Sequence, residues 1–121
     1  MSIGIIGGGI GGLSLAIALQ QRNINCQVFE QADQLAPVGA GILLGNNVMQ
    51  IYDRLQIRKP LETVANPIRE LQITRPDLRP LSKVDLSPFV QQYGVQNLAI
   101  HRADLQRVLL EQLPPGKVQL G

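Results

Sequence analysis

The sequence IGIIGGGIGGL, from Ile3 to Leu13, decides the fold. Its first four residues form a short apolar run that stops at three glycines, and such a run without polar alternation is typical of a strand buried on both faces. Gly7, Gly9 and Gly12 satisfy the spacing G-x-G-x-x-G. This spacing alone is a weak signal, because a chain with 12 glycines can produce it by chance. The residues around it therefore decide what it means.

The next residues predict a helix and a second strand. Leu13–Arg22 has helical spacing, and Asn23 suits the left-handed residue that often follows the end of a helix. Cys26–Glu30 alternates as a short strand. Strand, glycine turn, helix and strand within about 30 residues have the size of a βαβ unit. The helix is expected to bury the face that carries Leu15, Ala16 and Leu19.

In this context the glycines predict a dinucleotide site. Gly7 would make the tight turn, Gly9 would let a diphosphate approach the backbone, and Gly12 would let the helix pack close to the strand. The free N–H groups and the positive end of the helix dipole favour the diphosphate. Glu30 would accept hydrogen bonds from the adenosine ribose, and its charge disfavours a 2′-phosphate. The competing interpretation is that the glycines serve packing alone and that Glu30 is a solvated strand end.

The rest of the chain predicts further helices and strands around this unit. The predicted elements are a short apolar stretch Ile42–Leu44, a helix Val48–Leu55 capped by Asn47, an antiparallel pair Ile68–Thr74 and Leu81–Leu86, a short apolar stretch Leu98–Ile100, a helix Ala103–Leu113 and a third core strand Lys117–Leu120. These elements predict an α/β fold with a Rossmann-like βαβ core, a parallel sheet and a β-hairpin excursion.

Composition restricts the function classes. The chain has 121 residues, enough for one ordinary domain, and its 45% hydrophobic content is that of a globular protein. A net charge of +2 argues against a nucleic-acid or membrane surface built on charge. One cysteine and one histidine cannot form an intrachain disulfide or a tetrahedral zinc site, and this cysteine usage favours a cytoplasmic location. The uncharged run Ser2–Gln21 could span a bilayer by length, but its six glycines argue against a membrane helix.

Three segments carry a wider pattern. They are Ile3–Leu13 with Val28–Glu30, then Gly39–Leu44 followed by Asn47, and then Ile100–Leu105. In order and spacing they resemble the FAD-dependent aromatic-hydroxylase-type monooxygenases, the para-hydroxybenzoate hydroxylase superfamily. Members of this family bind FAD in such a fold, take reducing equivalents from NAD(P)H, activate oxygen at the flavin and insert one atom into a small organic substrate.

The resemblance implies which residues contact the cofactor. The glycine turn would cradle the FAD diphosphate, Glu30 would hold the adenosine ribose, and the backbone around Gly41 and Ile42 would approach the flavin. Arg102 would reach the cofactor through charge-assisted hydrogen bonds; the alternative is an exposed charge at the start of a helix. The implied cofactor-binding residues are Gly7, Gly9, Ile10, Gly12, Glu30, Gln31, Gly41, Ile42 and Arg102.

Other conspicuous side chains have simpler interpretations. His101 lacks a serine partner and is interpreted as a loop or core-edge histidine rather than a general base. Cys26 is expected to be a small buried strand residue. Tyr52, Phe89 and Tyr93 are interpreted as packing residues rather than as side chains that stack on the flavin. No catalytic residue is therefore assigned.

The chain also departs from the family. Asn23 stands where glycine is common, and Asn46 stands where proline is frequent. Family members are far longer, and two later cofactor motifs and most of the substrate-side sheet are missing here. We therefore expect residues 1–121 to be the N-terminal part of an incomplete FAD-binding domain, with residues 66–87 a hairpin of the substrate-side sheet. We expect the isolated chain to bind FAD weakly or not at all and to show no turnover.

Two alternatives remain open, together with one expected contact between copies. An NAD-dependent dehydrogenase could begin with the same βαβ unit, and a non-catalytic nucleotide-binding or interaction fragment could retain it. The three-stranded sheet would carry an exposed edge, through which a homodimer could form.

Overall fold

The computed structural model describes residues 1–36 and 39–121. They form two compact units, one of Met1–Gly41 with His101–Gly121 and the other of Ile42–Ile100. In chain order the elements are β1 (Ile3–Ile6), α1 (Ile10–Gln21), β2 (Cys26–Glu30), β3 (Gly41–Leu44), α2 (Asn46–Arg54), α3 (Arg58–Val64), β4 (Asn66–Ile68), β5 (Glu70–Thr74), β6 (Pro80–Asp85), α4 (Ser87–Tyr93), β7 (Asn97–His101), α5 (Arg102–Glu111) and β8 (Val118–Leu120).

The first unit contains the predicted parallel sheet. Its strand order is β1-β2-β8, and both neighbours of β2 run parallel to it, with Val28 opposite Ile5 on one side and opposite Val118 on the other. Helix α1 packs against α5 and against β1 and β2. The prediction of a third strand near the end of the chain is therefore confirmed, although β8 is an outer strand whose residues are not buried.

Helix α1 begins earlier than predicted, inside the glycine motif. Gly9 is extended and acts as the N-cap, and the Leu13 N–H donates to the Gly9 carbonyl at 3.0 Å to close the first turn. The predicted face was only partly right, because Ala16 is buried but Leu15 is 48% exposed. The side chains of α1 that are buried are Leu13, Ala16 and Ile17.

The end of α1 matches the prediction for Asn23. This residue has φ +58°, and its N–H donates to the Gln20 carbonyl at 2.9 Å. The Ile24 N–H donates to the Leu19 carbonyl, also at 2.9 Å. These two bonds form a Schellman motif, in which asparagine is the usual replacement for glycine. The departure at Asn23 thus leaves the backbone geometry intact.

Strand β1 is not buried on both faces as predicted. Ile5 is 6% exposed, but Ile6 is 86% exposed. The strand lies at one side of its sheet, and within the described ranges no element covers the face that carries Ile6. An apolar run therefore marks the strand correctly without fixing how many of its faces are covered.

The second unit has two small sheets. One has the order β3-β7-β4, with β4 antiparallel to β7, and the other is the antiparallel hairpin β5-β6. The predicted hairpin is confirmed with a shorter first strand, because Ile68 belongs to β4, where it pairs with Asn97 of β7, and does not continue into β5. The turn between β5 and β6 holds Leu78 at φ +64°.

Helix α2 starts differently from the prediction. Gly45, not Asn47, is the N-cap, and it has no side chain that could cap the helix. The Met49 N–H donates to the Gly45 carbonyl at 2.9 Å, which places Asn47 inside the first turn. The expected cap at Asn47 is therefore wrong.

Helices α3 and α4 were not predicted. Each carries a proline near its start, Pro60 in α3 and Pro88 in α4. First-turn N–H groups have no partner within the helix, so proline is tolerated there. In the first unit, the predicted helix near the end of the chain is present as α5, which buries Leu105, Val108 and Leu109.

Among the helices formed by residues 1–36 and 39–121, none has both the length and the apolar character needed to cross a bilayer.

Candidate nucleotide site

The turn between β1 and α1 requires glycine at its first position. Gly7 has φ +104°, a backbone conformation that residues with a side chain rarely adopt. Its N–H donates to the Phe29 carbonyl at 2.7 Å, which ties the turn to β2. The tight turn expected at Gly7 is therefore present.

Gly12 brings α1 against the same turn. A Cβ added at Gly12 would collide with the carbonyl oxygen of Gly7 and would lie 3.4 Å from the Ile5 side chain. Only glycine lets the helix sit this close to the end of β1, as the sequence predicted.

The space beside the turn is open at the positions where a ligand is expected. A Cβ added at Gly9 or Gly11 would meet no atom within 4 Å among the described residues. The first turn of α1 has no acidic residue and no side-chain cap. Its free N–H groups and the positive end of the helix dipole are therefore not neutralised by a side chain of this helix, which is the arrangement that favours an anion.

The carboxylate of Glu30 turns towards the glycine motif. Its Oε2 accepts a hydrogen bond from the Gly8 N–H at 2.6 Å, and its Oε1 accepts one from the Ala32 N–H at 3.0 Å. The N–H groups of Ala32 and Gly8 hold the pKa of Glu30 below its ordinary value. A carboxylate has about four acceptor positions, so these bonds leave Glu30 able to accept from a ribose hydroxyl.

A residue that the sequence analysis did not select also contacts the turn. Gln106 of α5 donates from Nε2 to the Gly8 carbonyl at 3.0 Å. The two residues are 98 positions apart. Only the packing of α5 against α1 brings them together, and no local sequence signal marks that contact.

Arg102 is tied to the segment before β3. Its N–H donates to the Ala40 carbonyl at 3.2 Å, and a Cβ added at Gly39 would lie 3.0 Å from Arg102 Cδ. Arg102 is the first residue of α5, and its side chain is exposed. Gly39 thus leaves room for the aliphatic part of this arginine.

The predicted site residues fall into three groups. The turn and the start of α1 hold Gly7, Gly9, Ile10 and Gly12, and Glu30 bonds to that turn through Gly8. Gly41 and Arg102 lie in the first unit, whereas Ile42 is the first residue of the second unit. Gln31 is exposed directly after β2. Whether these residues bind a cofactor stays a prediction.

The side chains with simpler interpretations give mixed outcomes. Cys26 is 1% exposed, so its prediction as a small buried strand residue is confirmed, and Tyr52 is 4% exposed, as suits a packing residue. Phe89 and Tyr93 are 42% and 44% exposed, and their interpretation as packing rather than flavin-stacking side chains stays a prediction. His101 is exposed as the N-cap of α5, and its non-catalytic role stays a prediction.

Asn46 has a specific partner at the position where the family often has proline. Its N–H donates to Asn97 Oδ1 at 3.0 Å, and its Nδ2 donates to the Val95 carbonyl at 2.7 Å. Asn97 is 4% exposed. Asparagine has a backbone N–H that proline would lack, and here the buried side chain of Asn97 accepts its hydrogen bond.

Comparison with known proteins finds a Rossmann-like family model and relatives among the monooxygenases. A family model described as an NAD(P)-binding Rossmann-like domain matches residues 5–40. Over 119 residues the chain is 43% identical to a 3-amino-4-hydroxybenzoate 2-monooxygenase of Streptomyces platensis, covering 97% of this chain and 30% of that protein. Over 120 residues it is 34% identical to an FAD-dependent urate hydroxylase of Klebsiella pneumoniae, covering 97% and 31%. The chain matches the amino-terminal part of the FAD-dependent, aromatic-hydroxylase-type monooxygenases.

Solved structures of this family agree in fold. Klebsiella pneumoniae HpxO complexed with FAD and uric acid matches with a TM-score of 0.86 and 30% identity, covering 100% of this chain and 31% of that one. The p-nitrophenol 4-monooxygenase PnpA of Pseudomonas putida matches with a TM-score of 0.85 at 19% identity, which supports the fold alone. The chain thus spans about a third of the length of the monooxygenases that it matches.

Proposed function

We propose that this chain forms the adenosine-diphosphate half of an FAD site in a flavin-dependent monooxygenase. The observation that carries the proposal is the open glycine turn at the start of α1, with the Glu30 carboxylate 2.6 Å from the Gly8 N–H. The turn offers backbone donors to two linked phosphates, and the carboxylate offers acceptors to a sugar. These are the two chemical features that adjoin in the adenosine half of FAD.

The residues present fit that half of the cofactor. The space beside Gly9 and Gly11 admits a phosphate close to the backbone. Glu30 keeps free acceptor positions for the ribose, and its charge disfavours a ligand with a 2′-phosphate. Arg102 would add a cation beside the cofactor, anchored through Gly39 and Ala40. Bound FAD would supply the redox and oxygen chemistry, while these residues bind and orient it.

The reaction of the whole protein follows from its relatives. We propose oxygenation of a small organic substrate, by hydroxylation or epoxidation, with NAD(P)H as the electron donor. The names of the relatives, which include an aminohydroxybenzoate monooxygenase and a urate hydroxylase, favour a small ring compound. Residues 1–121 hold about half of the cofactor site, so we propose that they show no turnover by themselves.

An NAD-dependent dehydrogenase is the second candidate. The match of residues 5–40 to an NAD(P)-binding Rossmann-like model favours it, because Glu30 suits the ribose of NAD as well as that of FAD. The monooxygenase is preferred because its relatives match 97% of the chain, including Gly39–Leu44 and Arg102. An NAD-dependent dehydrogenase has no reason to place Gly39–Leu44 and Arg102 as they stand in this chain.

Two further properties belong to the same proposal. β1 and β8 are the outer strands of the first unit's sheet, and pairing of one such edge between two copies would give a homodimer. Light scattering that finds only monomer would contradict this pairing.

The single cysteine favours the cytoplasm as the compartment.

A titration series tests the proposed function. The chain is titrated with ADP, FAD and adenosine while the backbone amide signals are followed by NMR, and NAD(P)H consumption is measured in parallel. We expect ADP to shift the amides of the glycine turn and FAD, which this chain should bind weakly or not at all, to shift them less, with no NAD(P)H consumption above the rate of free FAD. Turnover by the chain alone, or an unchanged turn at millimolar ADP, would contradict the proposal.

A further inference from the structure

The peptide units of the glycine turn are held from two sides. The Gly8 N–H donates to Glu30 Oε2 at 2.6 Å, and the Gly8 carbonyl accepts from Gln106 Nε2 at 3.0 Å. Gly8 itself is buried. The residue in the middle of the turn is therefore fixed by one side chain from β2 and another from α5.

The second of these bonds controls the next N–H along the chain. The Gly8 carbonyl and the Gly9 N–H belong to the same peptide unit, which is planar and trans. In a trans unit these two groups point in opposite directions. Because Gln106 holds the carbonyl, the Gly9 N–H is directed away from the Gln106 amide.

The Gly9 N–H is also available to a ligand. It makes no hydrogen bond within residues 1–36 and 39–121, and the space beside Gly9 is open. Gly9 carries no side chain that could hold its own backbone in place. Without an external bond, the peptide unit between two glycines would be free to rotate, because glycine accepts an unusually wide range of backbone angles.

We propose that Gln106 is a positioning residue of the nucleotide site, which aims the Gly9 N–H at the diphosphate by holding the Gly8 carbonyl. The inference rests on the proposed function, since it assigns a role in the same site. It also explains why a polar side chain of α5 lies half-buried against the turn. Glu30 then fixes one side of Gly8 and contacts the sugar, while Gln106 fixes the other side and contacts no ligand.

The test compares matched variants at two glutamines of the same helix region. Gln106→Met keeps the length of the side chain and removes its N–H donor. Gln112→Met is the control, because within the described part of the chain the side chain of Gln112 donates only to the Val108 carbonyl of its own helix. Dissociation constants for ADP and for adenosine are measured by amide NMR, together with the Gly9 amide shift in the free protein.

We expect Gln106→Met to weaken ADP binding roughly three- to tenfold, the range for one neutral hydrogen bond. Adenosine affinity should stay unchanged because adenosine lacks the diphosphate, and the Gly9 amide signal should move. Gln112→Met should change none of these. Equal losses for ADP and adenosine, or an ADP affinity within twofold of the unmodified chain, would overturn the inference.

A second variant covers the case in which Gln106→Met does not fold. Gln106→Glu keeps the shape of the side chain, has no N–H donor and is compared with Gln112→Glu, which carries the same added charge. Gln106→Glu should weaken ADP binding more than its control, and equal effects would overturn the inference. If the unmodified chain does not bind ADP, the proposed function itself fails, which is a separate result.

Discussion

The carboxylate of Glu30 accepts a hydrogen bond of 2.6 Å from the N–H of Gly8, 22 residues earlier in the chain. This bond joins the end of β2 to the turn between β1 and α1. The acid expected to bind a sugar therefore also holds the turn expected to bind the phosphates. One side chain couples the two halves of the candidate site, so changing it should affect both.

Replacing the Glu30 carboxylate should weaken nucleotide binding and change its specificity. In Glu30→Gln one carboxylate oxygen becomes an NH2 group, which cannot accept from Gly8 or Ala32. We expect ADP affinity to fall about 10- to 100-fold, the range for losing a hydrogen bond to a charged group. Discrimination against the 2′-phosphorylated analogue should shrink, because the repelling charge is gone. Calorimetric titration with both ligands measures this, and Glu111→Gln is the exposed control.

The same carboxylate predicts a dependence on pH. The N–H groups of Ala32 and Gly8 lower the pKa of Glu30 in the folded chain, so its ionised form stabilises the fold. This stabilisation is present above the unfolded-state pKa and is lost as the pH falls through the lower folded-state pKa. Urea unfolding of the unmodified chain and of Glu30→Gln is compared between about pH 6 and about pH 3. The stability difference should narrow on acidification, and a constant difference would contradict the assignment.

Two neighbouring glycines of α1 should respond oppositely to alanine. Gly12→Ala places a methyl group against the Gly7 carbonyl, so we expect a loss of about 1–3 kcal/mol in the free energy of unfolding. Gly11→Ala meets no atom within 4 Å among the described residues. It should gain up to about 1 kcal/mol, because alanine has the higher helix propensity. Urea denaturation measures both, and similar effects at both positions would refute the close packing described here.

Replacing Gly9 by alanine should weaken ADP binding without changing the stability of the fold. Its φ of −74° is accessible to alanine and the space beside it is open, so Gly9→Ala should keep the stability of the unmodified chain. The added methyl group would occupy the space through which a phosphate approaches the backbone. We expect ADP affinity to fall at least about tenfold while adenosine affinity is kept. Unimpaired ADP binding by Gly9→Ala would show that the phosphates lie elsewhere.

The bond between Asn46 and Asn97 predicts an energetic coupling in the second unit. Asn97→Ala removes the acceptor of the Asn46 N–H, whereas Asn46→Pro removes that N–H itself. Proline fits because position 46 begins α2 and Gly45 before it is extended. The double variant should be more stable than the sum of the single effects predicts, by on the order of 1 kcal/mol. Chemical denaturation of all four proteins measures this, and strict additivity would show that the bond carries no energy.

The first unit of the fold was largely predictable from local signals. An apolar run, glycines and an acid at fixed spacing predicted β1, α1 and β2, and Asn23 marked the end of α1 correctly. The start of α1 was missed because helix formation inside a glycine run depends on tertiary packing rather than on propensity. The buried face was misassigned for the same reason, since Leu15 and Leu13 are equally apolar and only the position of the sheet distinguishes them.

The second unit was less predictable because its signals conflict. Helices α3 and α4 were not predicted, because Pro60 and Pro88 interrupt any helical pattern in the sequence, although proline in a first helical turn is compatible with a helix. Asn47 has the chemistry of a cap, but the extended backbone at Gly45 starts the helix earlier. Gln106 could not have been selected at all, because its partner Gly8 is 98 residues away and the contact depends on α5 packing beside α1.

The most direct test of the central claim is an amide NMR titration of the labelled chain with ADP. The account predicts that the largest shifts fall on residues 7–12 and on the amides that bond to Glu30, and that adenosine without phosphates leaves the amides of Gly9 and Ile10 nearly unchanged. Shifts confined to other parts of the chain, or no shift at millimolar ADP, would contradict the claim that this turn receives a diphosphate.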